Sequence, residues 1–315
     1  MYENMEMRAV LGQELCAIMR KNPDVCVIDA DLAKANGTIA LRDEFPDRAF
    51  DVGVAEQNMA GVAAGLSSYG FIPFIGSFAP FATRRICDQI AVCICYAKQN
   101  VKIIGSDPGV AAELNGGTHM SFEDIGVLRS IPGMVIFEPC DAMQLAKALP
   151  VISEYYGPVY MRLFRKKAAP VFDDSYQFDL FGTDTLTQGK DVTIFATGIL
   201  VEQALTAEKL LRKRGIGAMV VNIHTIKPLD ASAVCNAAAK TGCVVTCENH
   251  NILGGLNSAV SEILAAHSPL PVEAVGVRDH FGEVAPQSYL MEQYGLIDTD
   301  IIKACERAIA RKQGV

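Results

Sequence analysis

Tryptophan is missing from all 315 residues, although half of them are hydrophobic. That apolar content is enough for a large core and leaves material for a subunit interface. Positive charge is also scarce: 28 Lys and Arg against 36 Asp and Glu give a net charge of −8. With no basic stripe carrying interleaved aromatics, a nucleic-acid backbone is excluded as a partner. A local arginine pair can still hold a small anion inside an acidic protein. Ten cysteines are present, but no paired CxxC at zinc spacing accompanies them. Cys26, Cys93, Cys95, Cys243 and Cys247 sit in apolar runs, where a free thiol serves as a small core residue. The chain is also far longer than a disulfide-dense secreted module, so a reducing cytoplasm is expected. Its first twenty residues carry charges throughout and show no signal peptide.

Charge is absent altogether from residue 57 to residue 83, a length that would span a bilayer. Six Gly and Pro residues (Gly61, Gly65, Gly70, Pro73, Gly76 and Pro80) interrupt it, with Ser67 and Ser68 between them. This is the composition of helix, turn, buried strand and loop packed inside protein, not of a membrane span.

Short β-branched runs at 25–28, 72–75, 101–104, 134–137 and 159–163 read as strands. Helical patterns at 7–19, 56–68, 84–98 and 141–155 lie between them. Strands this apolar are expected where both faces of a parallel sheet are covered. Residues 166–190, with Pro170, Asp173, Asp174 and Gly182, are polar and turn-rich and read as a linker. A second series follows, with strands at 192–196, 218–222, 244–247 and 272–277 and helices at 200–214, 231–240 and 256–266. The expected architecture is two three-layer α/β/α domains with mostly parallel sheets, over residues 1–165 and 191–315.

The most informative stretch is Phe50-Asp51-Val52-Gly53-Val54-Ala55-Glu56-Gln57-Asn58-Met59, a strand-like run, a glycine turn and an acid opening a Gly/Ala-rich helix. Alone, such an acid has an ordinary use in complementing the helix dipole. Its neighbours extend the pattern: Ser77-Phe78-Ala79-Pro80-Phe81, then Asn115-Gly116-Gly117-Thr118-His119, then Arg129-Ser130-Ile131-Pro132-Gly133-Met134 with Glu138-Pro139-Cys140-Asp141. In this order and spacing the chain resembles the transketolase family, including deoxyxylulose-phosphate synthase. The resemblance reaches into the second domain through Gly189-Lys190-Asp191-Val192 and Ala196-Thr197-Gly198.

The resemblance implies a thiamine-diphosphate enzyme in which Glu56 hydrogen-bonds the aminopyrimidine ring nitrogen and promotes its imino tautomer. Phe78 and Phe81 would offer aromatic faces to that ring, although a Phe in an apolar run is ordinarily core. Asp31 matches a family acid that approaches the cofactor across a subunit interface; otherwise it is an acidic loop residue. His119, the one histidine of the first domain, lies in a Gly-rich loop and would contact substrate hydroxyls. Arg165 and Arg8 match phosphate-binding positions, so a sugar phosphate is the implied substrate class.

Departures from the family pattern bear on substrate and assembly. Asn115 stands where the family has Asp in the motif that reads hydroxyl configuration, and an amide both donates and accepts. The segment 106–114 diverges, and Arg84 occupies a position that is often Tyr. These differences leave the cofactor chemistry in place and count against ordinary xylulose or ribose phosphates. No Gly-Asp-Gly occurs in the sequence, the motif that with a later Asn anchors Mg²⁺ (or Ca²⁺) and the diphosphate. The expectation is therefore an α2β2 assembly in which a separate N-terminal subunit carries that motif and this chain is inactive alone. Gly198 and the pair Gly254-Gly255 look phosphate-like, with close packing as their commoner use. His224, His250 and His280 read as structural or interface residues. Rival readings are the β subunit of a 2-oxo-acid dehydrogenase, a deoxyxylulose-phosphate-synthase-like enzyme, and a non-catalytic scaffold of the same fold.

Overall fold

Alternation of β-branched runs with amphipathic stretches produces twelve strands, which a computed structural model describing Tyr2 and residues 4–314 sorts into two sheets. The strands are β1 (Val25–Asp29), β2 (Ala49–Asp51), β3 (Ile72–Phe78), β4 (Lys102–Ser106), β5 (Val135–Phe137), β6 (Val159–Leu163), β7 (Asp184–Thr185), β8 (Val192–Ala196), β9 (Ala218–Asn222), β10 (Thr225–Lys227), β11 (Val244–Asn251) and β12 (Val272–Val277). The first sheet runs β10-β5-β6-β4-β3-β1-β2 and is parallel except for β10. The second runs β12-β11-β8-β9-β7 and is parallel except for β7. Burial of every residue in β1, β4, β6, β8 and β9 explains why these strands are largely apolar, with buried charged exceptions such as Lys102 and Arg162.

The uncharged stretch resolves into the helix Glu56–Ser68, a turn, the buried strand β3 and a loop. Among the described residues no helix is long and apolar enough to cross a membrane. One expected helix departs from regular form. Residues 84–98 fold as a 3-10 turn (Arg84–Ile86), a single α turn (Cys87–Gln89) and a π-helical stretch (Ile90–Tyr96). Its run of Ile, Val and Cys carries little intrinsic helix preference to impose one geometry.

The two sheets are tied together in ways that the alternation does not announce. After β9 the chain returns to the first sheet, where β10 pairs antiparallel with β5 and Lys227 Nζ donates to the Arg129 carbonyl at 2.8 Å. Within the segment read as a linker, β7 adds an antiparallel edge to β9, and Asp184 accepts from Tyr176, Gln144 and Asn222. Helices Gln287–Gln293 and Asp298–Gln313 complete the second domain. One apolar cluster runs from Ile28, Ile75 and Ile103 of the first sheet to Phe195 and Val221 of the second.

Polar groups cross the same seam. Arg162, buried on β6, donates to Asp124 (2.8 Å), to Glu138 (2.6 Å) and to the Asn249 carbonyl of β11 (2.6 Å). Tyr160 donates to Asp124 at 2.7 Å, and Thr197 of the second domain donates to Glu138 at 3.0 Å. One cation serves two carboxylates. Burial outweighs its pull at Glu138, whose carboxyl is raised; at Asp124 burial is overcome by the charge of Arg162 and by the hydrogen bonds from Arg162 and Tyr160, and the carboxyl is lowered.

The glycines that looked phosphate-like pack against this network. Gly198 has φ +53°, and a Cβ there would lie 2.3 Å from Glu138 Oε1. Glu248, not an anion from outside, accepts from Leu256 N (2.6 Å) and Asn257 N (2.8 Å) where the helix Leu256–His267 begins. His250 is held neutral: Gly126 N–H donates to its Nε2, Nδ1 faces the Asn251 carbonyl, and burial lowers its pKa to about 4. His224 is likewise lowered to about 4 by burial, against a smaller pull from Asp179.

Two stability outcomes follow from these groups. Arg162→Ala leaves Asp124 and Glu138 buried without their cation and should cost roughly 3–5 kcal/mol in urea unfolding. An unchanged midpoint would contradict the tie. For His224 the folded pKa lies below the unfolded value, so its share of stability is present above about pH 6.5 and is lost as pH falls toward 4. Between pH 7 and pH 5 the wild type should lose about 2 kcal/mol more than His224→Gln. Parallel pH profiles for the two proteins would show that His224 is not buried as a neutral ring.

Candidate active site

In an open parallel sheet, ligands bind beyond the carboxyl ends of the strands where the strand order reverses. Here that point lies between β1 and β3, because β1 pairs with β2 on one side and β3 on the other. Glu56 opens the helix that returns the chain from β2 to β3, Phe78 ends β3, and Phe81 lies in the following turn. His119 comes from the loop between β4 and the helix Asp124–Arg129.

The three rings meet, and Glu56 is linked to them through Arg85, which pairs with its carboxylate and lies over Phe81. The rings of Phe78 and Phe81 are 6.3 Å apart and edge-on, and the His119 ring stands 5.5 Å from the first and 5.1 Å from the second. Glu56 is only 4% exposed, with Ser77 Oγ 3.5 Å from its Oε1. Thr118 Oγ1 lies 2.9 Å from His119 Nδ1, which leaves Nε2 as the outward-working nitrogen. A buried acid beside two phenyl rings and an imidazole suits a flat heteroaromatic ring with a nitrogen to receive the carboxyl. The residues therefore fit an aminopyrimidine.

The arginines are nearby but engaged. Arg165 lies 5.2 Å from the Phe78 ring and forms an ion pair with Asp107, whose carboxyl is raised by burial while the guanidinium works against that shift. Arg8 joins Arg165 through the backbone, its N–H donating to the Arg165 carbonyl at 3.2 Å, while its side chain pairs with Glu6 at 2.7 Å. Asp31, exposed and at φ +59°, turns its N–H to the Asp51 carboxylate, which also receives Gly53 N just before Glu56. Asn115 is exposed at the end of the 3-10 segment Gly109–Asn115.

Two contributions escaped sequence reasoning. Arg85 pairs with Glu56 at 2.7 Å and lies over Phe81, signalled only by the doubled arginine that follows the aromatic loop. The second domain also reaches the site. A Cβ at Gly117 would lie 2.1 Å from the Gly282 carbonyl, so this contact demands glycine. A cavity of about 380 Å³ opens there, lined by Arg84, Gly117, Thr118, Phe281 and Gly282. No local pattern connects residues 117 and 282; only the fold does. Among the described residues no group of three His, Cys, Asp or Glu is placed to hold a metal ion.

Comparison with known proteins identifies the family. The transketolase pyrimidine-binding domain matches residues 3–170, and the transketolase C-terminal domain matches residues 183–301. The 6-deoxy-6-sulfo-D-fructose transketolase subunit of Clostridium sp. (strain MSTE9) is 50% identical over 93% of this chain and 91% of its own length. A putative transketolase C-terminal section from Methanocaldococcus jannaschii is 37% identical over 94% of each. A solved split-gene transketolase, described as an inactive beta4 tetramer, superposes with a TM-score of 0.91 at 41% identity, covering 98% of this chain and all of the other. This chain belongs to the transketolase family and is built from that family's pyrimidine-binding and C-terminal domains.

Proposed function

We propose that this chain is the pyrimidine-binding half of a two-chain, thiamine-diphosphate-dependent ketol transferase. The observation that carries the reading is the gathering of Phe78, Phe81 and His119 at the strand-order reversal, with the buried Glu56 held against Ser77 and Arg85 beside them. Bound thiamine diphosphate supplies a nucleophilic ring carbon that accepts the two-carbon unit of a ketose. Glu56 hydrogen-bonds the aminopyrimidine nitrogen, Phe78 and Phe81 flank its ring, and His119 meets substrate hydroxyls through Nε2. The metal and the diphosphate are assigned to a separate subunit, with two copies of each chain in the assembly. Apolar groups at the rim, Val54 (74% exposed) and Phe281 (88%), support a neighbouring chain closing the site.

The substrate reading rests on charge. Arg165 and Arg8, the expected phosphate ligands, each carry a carboxylate already, Asp107 and Glu6. So neutralised, they suit a singly charged sulfonate better than a phosphate dianion. The relative described as a 6-deoxy-6-sulfo-D-fructose transketolase subunit supports the same donor here.

Two measurements test this. Titrated with Mg²⁺ and thiamine diphosphate, the chain mixed with its partner should bind cofactor, and the chain alone should not. Glu56→Ala should lower ketol transfer by about 10²-fold or more. A folded mixture that takes up no cofactor removes the catalytic reading and brings forward the scaffold one. In the active mixture, 6-deoxy-6-sulfofructose should exceed fructose 6-phosphate as donor by roughly tenfold in kcat/KM. The reverse preference would reject the sulfonate assignment and keep the enzyme.

A further inference from the structure

Arg85 makes the two contacts that the proposed function gives to the aminopyrimidine. Its guanidinium carbon stands 3.7 Å from the centroid of the Phe81 ring, and its Nη1 lies 2.7 Å from Glu56 Oε1. A guanidinium is flat and edged with N–H donors, so it stacks on an aromatic face and meets a carboxylate as a heteroaromatic amine does. We infer that Arg85 is a clasp that sits in the aminopyrimidine's place in this chain, and that cofactor seating requires its guanidinium to leave Glu56. This rests on the cofactor reading above.

The charge states of the two complexes are incompatible on one oxygen. An ion pair with Arg85 uses Glu56 as a carboxylate, whereas sharing a proton with a ring nitrogen requires the same group to carry one. The clasp also has a reason to exist. Glu56 is buried, and a buried carboxylate without a partner is costly. Arg85 satisfies it in the chain described here, and in doing so stabilises the state that the cofactor must displace.

The surroundings allow the exchange. Arg85 is 41% exposed and belongs to the short 3-10 turn Arg84–Ile86, so its side chain has solvent to move into. Among the described residues no second carboxylate pairs with it. Arg84, beside it, is held elsewhere by Glu123 at 2.5 Å and stays clear of Glu56. Arg85 therefore acts through Glu56 as a positioning residue.

Calorimetric titration of thiamine diphosphate with Mg²⁺ tests the clasp in the complex of this chain with its diphosphate-binding partner, using wild type, Arg85→Met, Arg85→Lys, Glu56→Gln and Arg85→Met with Glu56→Gln. Loss of the clasp in Arg85→Met should lower Kd about tenfold. Arg85→Lys keeps the ion pair and should return Kd toward the wild-type value, which a purely structural role of Arg85 would not produce. In the Glu56→Gln background, where no ion pair forms, the gain from Arg85→Met should shrink. If the wild type binds cofactor and Arg85→Met binds equally or more weakly, the clasp is overturned and the cofactor reading stands. If none of the five binds it, the cofactor reading fails and the clasp fails with it.

Discussion

A single guanidinium buried between two sheets sets the terms for the rest of the molecule. Arg162 projects from β6 and joins Asp124, Glu138 and the Asn249 carbonyl of the second domain. Its removal from water is tolerable only because every direction it faces holds an acceptor. The consequence is geometric. Asp124 starts the helix that follows the His119 loop, and Glu138 follows β5, so the network fixes the loop and the second domain to one frame. His119 can then stand 5.1 Å from Phe81 although the two residues belong to different βα units.

The same seam explains how a domain with little chemistry of its own takes part in the site. Loop 281–284 lies against the glycines of loop 115–119, and its carbonyl at Gly282 sits where no side chain fits. The second domain thus limits the shape of the cavity beside His119 and contributes an aromatic group to its mouth. What it brings to the cavity is enclosure.

Much of this was legible in the sequence. Strands buried on both faces announce themselves as largely apolar runs, and β6, β8 and β9 fall on the expected residues, as does the half-buried β12. Glu56, Phe78, Phe81 and His119 were singled out by the ordered motifs around them, and the fold places the three rings together. Short edge strands were not legible: β7 and β10, of two and three residues, carry no periodicity to detect. Nor was the engagement of the arginines. Arg165 and Arg8 read as open anion ligands, yet Asp107 and Glu6 hold them, and a carboxylate 58 residues away leaves no mark beside Arg165. Sequence spacing identifies which groups line a site but not which of them are already paired.

The return of the chain to its first sheet at β10 bears on how this architecture can be divided. Were the polypeptide cut between its two matched segments, β5 would lose its outer neighbour and present a bare edge to solvent. Lys227 would be withdrawn from the carbonyl that it covers at Arg129. The two matched segments are thus one structural unit, in which the second completes the edge of the first one's sheet.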